Sequence, residues 1–533
     1  MMRSTKATRN AVSRSTRTSL PKWMLGAAAG LVLGLSGAQA RPLNLVLNAD
    51  MRSSNPGVNR DGNTDGIMLN IVEGLVGYGK DGRVKPVLAE KIETSDDGLT
   101  YTFRLRQGVT FHNGAPMTSA DVLWSWQRYM QPATEWRCLS EFDGRNGLKV
   151  EKVGAPDPRT FVMTINKPHA LFLDSLARTD CAMAAVIHPD SVAENGSWKA
   201  PVGTGPFKLD RWVRGQYLTL KRFDAYVSPP GDKPDGGAGK KIPLISDVRV
   251  SVVADASTIK AGLASGALDI SKVQNIDVAE LSKNKNLAIA EDLTGGRNAI
   301  LFQTQDPLLG SVTMRRAIAA ALDVPQLVSM VSDGKATPNS SAVKTGSFYY
   351  DAVQATSHAY DPALARRLLK ESGYKGERLK ITTNNRENMP SLNIAIVMQQ
   401  MLREVGIESD IDIVEWGTHM DRFLKGNYQM MVHSYSSRID PSLSYEHFTG
   451  PKDKQPRKVW DNPQAQAMLE ESMTVSDSKR RQSLFDDMHR LMLEDVPLII
   501  LFNTLDPWAM SSKVKGFEPW EGSPPLWGVT LAE

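Results

Sequence analysis

The sequence predicts an α/β protein built from two or three lobes. Its 533 residues exceed what a single hydrophobic core usually spans. Strand-like and helix-like segments alternate along the chain without internal repeats or low-complexity segments. In the C-terminal half, strand-like runs at Glu408–Ile413 and Tyr428–His433 follow an amphipathic helical stripe, so we expect strands covered by helices there. The 41% apolar and 23% charged content is that of an ordinary soluble globular protein.

The first forty residues have the pattern of a secretory signal peptide. They carry six basic residues and no acidic residue, then the apolar run Met24 to Leu35, then the exit Ala38-Gln39-Ala40. The alternative is a membrane anchor, but twelve apolar residues are short for a bilayer that needs about 20. No cysteine lies near the cleavage point to mark a lipoprotein. We therefore expect a soluble periplasmic protein that begins at Arg41.

The net charge of the whole chain is misleading. It is +4, with 63 basic and 59 acidic residues. Without residues 1–40 there remain 57 basic and 59 acidic residues, a balance of −2. This removes any electrostatic case for binding nucleic acid.

The segment Leu99–Ser125 specifies local structure in detail. Tyr101, Phe103 and Leu105 alternate with polar residues, which predicts a strand with one wet face. Thr118, with an acid three residues on, resembles a capping box. It predicts a helix with Val122, Leu123, Trp126 and Tyr129 on one face.

Two helices are predicted in the C-terminal half. Asp361-Pro362 begins one helix, as N-cap and first-turn proline, and Gly373 ends it. The second helix has an apolar stripe and ends at Gly406, and the stripe consists of Ile394, Val397, Met398, Met401, Leu402 and Val405. The Gly/Pro/Lys-rich stretch Ser228–Lys241 is interpreted as a surface excursion, with an ordered loop as the alternative.

The only two cysteines, Cys138 and Cys181, fall in the exported part. An oxidising compartment permits a disulfide between them, which we favour; two free buried thiols are the alternative.

Searches for catalytic and cofactor motifs find nothing. Gly203-Thr204-Gly205-Pro206 lacks the third glycine of a dinucleotide loop, and the sequence has neither a phosphate-binding GxxxxGK[ST] nor a GxSxG motif. The eight histidines have no zinc spacing. We therefore predict no enzyme activity, no cofactor and no metal site.

An ordered set of motifs resembles the family 5 solute-binding proteins of bacterial ABC importers, the group with the peptide-, nickel- and opine-binding proteins. The resemblance extends over the mature chain through Asn70–Gly77, Gly82–Glu90, Asp97–Ser125, Val202–Phe207, Ala261–Asp269, Met314–Asp323, Asp440-Pro441 and Arg480–Pro497. It implies a periplasmic binding protein-like two-lobed clamp of cluster C, with an additional domain and two hinge strands near Asn298–Gln303 and Ile499–Asn503. Such a clamp closes on its ligand.

The resemblance also implies a division of the chain. Residues 1–40 are the signal peptide; 41–79, 196–298 and 504–533 form lobe I; 80–195 form the additional scaffold domain; 299–503 form lobe II. The expected partners are a small-molecule ligand and the permease subunits in the inner membrane, and we expect a monomer.

Candidate ligand contacts in lobe II follow from aligning on Asp440-Pro441. The acid that anchors a peptide amino group in relatives is replaced by Ser437, and Arg438 stands beside it. Arg438 offers a planar fork for a carboxylate or phosphate; a rim charge or structural salt bridge is the alternative. Tyr435 takes the place of an aromatic wall residue, and His433 lies on the same strand face. For His433 the alternative is a structural residue with its hydrogen bonds satisfied, and we do not interpret it as a metal ligand.

Further candidates lie elsewhere in the chain. The loop Arg60-Asp61-Gly62-Asn63-Thr64 resembles a cleft loop, so Asp61 or Asn63 is expected to bind ligand, unless the loop only caps a helix beginning near Asp65. Trp416 and Trp136 are candidate aromatic walls, with core packing as the alternative.

Two functions remain open. The first is the binding subunit of an importer for a small polar, anionic or zwitterionic solute, such as a peptide, a modified peptide or an opine-like compound. The second is a ligand-binding sensor or chaperone on the same scaffold, without transport.

Overall fold

One ten-stranded sheet runs through both halves of the molecule. The computed structural model describes residues 41–58, 61–386 and 389–532. The predicted signal peptide and Arg60 lie outside the described residues. The strands of this sheet and of the smaller sheets are, in chain order, β1 (Leu43–Leu47), β2 (Val76–Tyr78), β3 (Val84–Pro86), β4 (Ala89–Thr94), β5 (Thr100–Leu105), β6 (Val150–Asp157), β7 (Thr160–Ile165), β8 (Phe207–Val213), β9 (Tyr217–Arg222), β10 (Pro234–Asp235), β11 (Ala238–Gly239), β12 (Asp247–Val252), β13 (Ile270–Lys272), β14 (Leu287–Phe302), β15 (Leu379–Thr383), β16 (Ser409–Ile413), β17 (Met430–Tyr435), β18 (Leu498–Ser511), β19 (Val514–Lys515) and β20 (Thr530–Leu531).

Helices cover this sheet and fill the connections between its strands. In chain order they are α1 (Gly62–Met68), α2 (Ser119–Tyr129), α3 (Phe172–Ala177), α4 (Ala256–Ser265), α5 (Asn275–Leu281), α6 (Val312–Ala321), α7 (Val324–Val331), α8 (Pro362–Glu371), α9 (Ser391–Glu404), α10 (Trp416–Lys425), α11 (Pro441–Glu446), α12 (Pro463–Thr474) and α13 (Ser478–Asp495). Short 3₁₀ turns lie at Pro132–Thr134, Leu139–Glu141, Thr179–Ala184 and Pro189–Ser191. Within the described part of the chain, no helix has the length and apolar character needed to cross a bilayer.

The strand order of the large sheet is β16-β15-β17-β14-β18-β13-β1-β12-β9-β8. β1 pairs in parallel with β12 and β13, and β15 pairs in parallel with β16 and β17. We call the half around β1 lobe I and the half around β15 lobe II. The long antiparallel strands β14 and β18 belong to both halves, so they link the two lobes.

The β14–β18 ladder is irregular at the junction of the two lobes. Its register shifts between Leu293 and Arg297, at Gly295 and Gly296. A Cβ atom on Gly295 would lie 2.6 Å from the Ser437 hydroxyl oxygen and 2.8 Å from the Arg438 carbonyl oxygen. Only glycine fits there, because the loop that follows β17 approaches the backbone of β14 so closely. The predicted hinge segment Ile499–Asn503 lies within β18, and Asn298–Gln303 lies within β14 except for its last residue.

Separate hydrophobic cores stabilise the lobes. In lobe I, one core is continuous with the core under the four-stranded sheet β4-β5-β7-β6, so the additional domain and lobe I share buried side chains. Lobe II has two cores, one on each side of its strands.

The local predictions for the scaffold are confirmed. Tyr101, Phe103 and Leu105 are buried on β5, and Thr118 caps α2, its backbone N–H donating to Asp121 at 2.8 Å. α8 is capped by Asp361. α9 buries most of its predicted stripe, β16 begins one residue later than predicted, and β17 is displaced by two residues.

The interpretation of Ser228–Lys241 as a surface excursion is wrong for the C-terminal end of this stretch, which is buried. The stretch contains the β10–β11 ribbon, and Ala238 and Lys241 are fully buried. The Lys241 ammonium lies 3.5 Å from the Glu73 carboxylate, which is also fully buried, and 4.8 Å from the Trp527 ring centroid. The composition of a single segment cannot reveal a counter-charge that lies far away in the sequence.

Candidate ligand-binding site

A cavity of about 710 Å³ opens at one edge of the lobe I strands. The carboxyl ends of β1, β12 and β13 meet at that edge, which is where open α/β sheets bind ligands. The lining from lobe I consists of Val46, Leu47, Asn48, Gly62, Asn63, Asp65, Ala254, Ala256, Ile259, Lys260, Ser271, Lys272, Val273, Gln274, Asn275, Asp277, Asp506, Pro507, Trp508, Glu521, Gly522, Ser523 and Pro524.

Two further lining residues come from other parts of the molecule. Thr179 is contributed by the additional domain and Arg386 by the loop after β15 in lobe II. Among the described residues of the lining, Arg386 is the one from lobe II. The cavity is therefore enclosed by all three parts of the chain, and any movement between the lobes changes its shape.

The cavity wall carries charges of both signs, most of them paired within the protein. The Lys272 ammonium lies 2.5 Å from the Asp506 carboxylate, and the Lys260 ammonium lies 3.1 Å from that of Asp277. Side-chain amides stand between these pairs. A wall of this kind provides both donors and acceptors for a small polar solute.

Arg386 is held over an aromatic ring. Its guanidinium carbon lies 4.8 Å from the ring centroid of Trp416, the first residue of α10. The indole is half-buried and stacks on His419 at a centroid distance of 5.4 Å. The contact orients the guanidinium without neutralising its charge, and among the described residues no carboxylate pairs with its fork of donors.

The predicted residues Asn63 and Asp61 have different roles in the structure. The Asn63 side chain lines the cavity and donates to Asn48 Oδ1 at 3.0 Å and to the Ala49 carbonyl at 2.9 Å. The Asp61 carboxylate is the N-cap of α1 and accepts from the backbone N–H groups of Asn63 and Thr64. This is the capping alternative, although the helix begins at Gly62 rather than near Asp65.

Trp136 has the structural role that the core alternative predicted. It is 2% exposed, stacks on Phe142 at 5.6 Å and donates its indole N–H to the Cys181 carbonyl at 3.2 Å. The expectation that Trp136 forms a wall of the ligand site is wrong, because neighbouring aromatic rings enclose it in the core shared by lobe I and the additional domain. Next to it, the predicted Cys138–Cys181 disulfide is present.

His433 and Tyr435 are also interior residues. Both are buried on β17, with ring centroids 4.9 Å apart. His433 stacks between Phe423 at 4.1 Å and His419 at 5.5 Å, so α10 covers this strand face and separates it from the cavity. Neither residue lines the cavity. This corrects the predicted place of Tyr435 at its wall and the prediction of His433 as a ligand contact, and His433 has the structural role that was its alternative.

Ser437 and Arg438 follow β17 at the junction between the lobes. Ser437 donates its hydroxyl hydrogen to the cavity-lining Glu521 at 2.7 Å. Arg438 donates to the Ser437 carbonyl at 2.7 Å and does not line the cavity. Burial would raise the pKa of Asp180, but hydrogen bonds from Arg178 and the charges of Arg178, Arg137 and Arg438 lower it. Ligand contact by Arg438 stays a prediction.

Sequence reasoning missed Arg386, Lys272, Asp506 and Glu521. For Lys272 a signal exists, because it ends a short strand in lobe I. No single segment of the sequence carries a signal for Glu521 or Asp506. Their position at the cavity depends on the C-terminal segment returning to lobe I.

Comparison with known proteins agrees with this architecture. Residues 83–456 match the model of the bacterial extracellular solute-binding proteins, family 5, and the chain belongs to that family of binding proteins.

Individual relatives cover nearly the whole chain. The glutathione-binding protein GsiB of Salmonella paratyphi A is 26% identical over 512 residues, 93% of this chain and 96% of that protein. The structure of HbpA2 from Haemophilus parasuis has a TM-score of 0.79 at 22% identity, and covers 92% of this chain and 100% of that one. AgaA from A. tumefaciens R10, solved with agropinic acid, has a TM-score of 0.66 at 25% identity, over 92% and 99% of the two chains. The two-lobed fold with an additional domain is therefore that of the family.

Proposed function

We propose that this protein is the substrate-binding subunit of an ABC importer. It captures a small polar solute that carries both a positive and a negative charge, such as a peptide, a modified peptide or an opine-like compound. The protein acts as a monomer and presents the solute to a membrane permease. The observation that carries the proposal is the cavity, whose wall combines paired charges of lobe I with Thr179 of the additional domain and Arg386 of lobe II. A solute in this cavity would lie between the two lobes.

The names of two relatives support this solute class. One is named as a glutathione-binding protein and another was solved with agropinic acid. Neither ligand is assigned to this chain, but both are small polar molecules of the class that a wall with charges of both signs suits.

For the division of the chain we propose the bounds given by the family resemblance. Lobe I at 41–79, 196–298 and 504–533 contributes the strands around β1, and 80–195 contributes the four-stranded sheet. Residues 299–503 contribute β15 to β17, while β14 and β18 cross the proposed boundaries at 298 and 503.

Within the cavity, we assign Arg386 to the anionic group of the solute. A guanidinium offers two parallel N–H donors to a carboxylate, and its stacking on Trp416 fixes the plane of that fork. Because Arg386 comes from lobe II and the remaining charges from lobe I, a solute bound to both would hold the lobes together.

Mass spectrometry of the small molecule that co-purifies with the exported protein tests the binding function. The identified compound, and glutathione as a first defined probe, are then titrated calorimetrically into the protein. Arg386 is exposed in this structure, and a solute bound to it would remove its guanidinium from water. Loss of a charge partner buried in this way typically costs about 2–5 kcal/mol, so Arg386→Ala is expected to weaken binding of the identified compound by roughly 30- to 4,000-fold. Arg403→Ala, on the exposed face of α9, is the matched control. Unchanged affinity of the Arg386 variant would contradict the assignment.

Export and delivery have their own tests. N-terminal sequencing of periplasmic extract should begin at Arg41, whose guanidinium binds the Asp269 carboxylate through two hydrogen bonds of 2.7 Å. Uptake of the identified compound should be lost when the protein is deleted. Uptake that continues normally would favour the sensor function instead.

A further inference from the structure

Glu521 occupies a turn that the protein holds in an unusual backbone conformation. Its φ is 47°, in the left-handed region that non-glycine residues rarely adopt. The backbone N–H groups of Glu521 and Gly522 both donate to the buried Asp292 carboxylate of β14, at 3.2 and 2.5 Å. This anchor compensates the strain and fixes the direction of the Glu521 side chain.

Both carboxylate oxygens of Glu521 have donors within the protein. Oε1 accepts from the Lys344 ammonium at 2.6 Å. Oε2 accepts from the Ser437 hydroxyl at 2.7 Å and from the Gly295 backbone N–H at 3.1 Å. The Glu521 side chain is only 8% exposed and that of Lys344 16%, so water screens the pair weakly.

The partners belong to different lobes. Glu521 follows Trp520, which is part of the lobe I core. Lys344 follows Ala342 and Val343, which are part of a lobe II core. The ion pair therefore bridges the two lobes, beside the strand β14 that they share.

Neighbouring contacts join lobe II to the turn between β2 and β3, where the additional domain begins. The Phe348 backbone N–H donates to the Asp81 carbonyl at 2.8 Å, and Ile439 of lobe II packs against the lobe I core. A Cβ atom on Gly82 would lie 3.3 Å from Ile439 Cγ2. The pair thus lies at the edge of a packed interface, with the cavity on its other side.

We propose that Lys344 and Glu521 form an ionic latch that holds the lobes in the arrangement of this structure, here called closed, before any ligand binds. When the lobes separate, each charge must be hydrated independently and the Ser437 hydrogen bond is lost. The latch also neutralises a carboxylate at the cavity wall, so closure does not depend on a cationic group of the ligand. The latch rests on the proposed binding function only in that the closed lobes enclose the cavity.

Small-angle X-ray scattering of the full mature protein without added ligand tests the latch, with the curve fitted as a mixture of closed and open forms. Protein purified under denaturing conditions and refolded excludes co-purified solute. Glu521→Gln and Lys344→Met are each expected to lower the closed-to-open ratio about tenfold or more. Lys370→Met, on the exposed face of α8, should leave the ratio unchanged.

A charge exchange separates the latch from a general loss of structure. The double variant Lys344→Glu/Glu521→Lys should recover a large part of the closed population that Lys344→Glu alone loses. A fully open wild-type protein, or single variants with the wild-type ratio, would overturn the latch. So would an exchange variant that stays as open as the single variant while melting normally. None of these outcomes requires the ligand, so a failure of the latch and a failure of the proposed binding function can be told apart.

Discussion

The guanidinium of Arg386 lies 4.8 Å from the ring centroid of Trp416, and Arg386 lines the cavity that Trp416 does not reach. The ring therefore acts on a bound solute through the arginine. Trp416 begins α10 and stacks on the buried His419, so the position of Arg386 is connected to the interior of lobe II.

We predict that Trp416→Ala weakens solute binding indirectly. A cation–π contact contributes about 0.5–2 kcal/mol, so affinity should fall roughly 2- to 30-fold, and Trp416→Phe should retain much of it. Calorimetric titration with the co-purified compound measures the change. In an Arg386→Ala background the same substitution should have little further effect; equal losses in both backgrounds would show that the two residues are not coupled.

We predict that the Cys138–Cys181 disulfide stabilises the additional domain. The cysteines are 43 residues apart, and the chain-entropy model assigns a loop of this length about 4 kcal/mol. The Cys138→Ala/Cys181→Ala variant should show a correspondingly lower free energy of unfolding in denaturant. Thiol labelling of denatured, unreduced wild-type protein should find no free cysteine, and two equivalents of label would contradict the bond.

We predict that stability falls in mild acid because of a buried histidine pair. The imidazoles of His419 and His433 lie 3.2 Å apart. Burial lowers the pKa of His419 to about 4, and burial with the neighbouring His419 lowers the pKa of His433 to about 3. In the unfolded chain both imidazoles take up protons below about pH 6.5, while the folded protein excludes them until far lower pH. Each group therefore lowers the free energy of unfolding by up to about 1.4 kcal/mol per pH unit as the pH falls from 6.5 towards 4.

The variant His433→Phe checks this prediction, because it keeps an aromatic ring between Phe423 and His419 but removes one titrating group. Urea denaturation at several pH values should give a shallower decline for the variant below pH 6.5. Parallel pH profiles for the two proteins would show that His433 does not carry the effect.

We predict a large cost for breaking the buried pair of Glu73 and Lys241. The Glu73 carboxylate also accepts from the Tyr226 hydroxyl at 2.7 Å and from Thr204 at 3.2 Å. Glu73→Ala leaves the fully buried ammonium without a counter-charge, which typically costs about 3–5 kcal/mol. Adding Lys241→Met should restore part of that loss. Glu90→Gln, which removes the exposed pair with Arg159, is the matched control and should change stability by less than about 1 kcal/mol. A Glu73 variant as stable as this control would contradict the prediction.

Local features of the scaffold could be predicted from the sequence because their signals lie within a few residues of each other. The alternation in β5, the capping box of α2 and the N-cap of α8 each depend on neighbouring side chains and backbone groups. The ordered motifs identified the family for the same reason, since each is a contiguous segment.

The sequence by itself determined the α/β class, the boundaries of most tested elements and the family. Only the tertiary structure decided which polar and aromatic residues face the cavity. Trp136 and Tyr435 were plausible wall residues until packing enclosed them, and Arg386 and Glu521 carried no local signal. The physical reason is that a binding site is formed by segments that meet from distant parts of the chain. Whether a side chain lies in a core or at a cavity wall therefore depends on what the rest of the fold places against it.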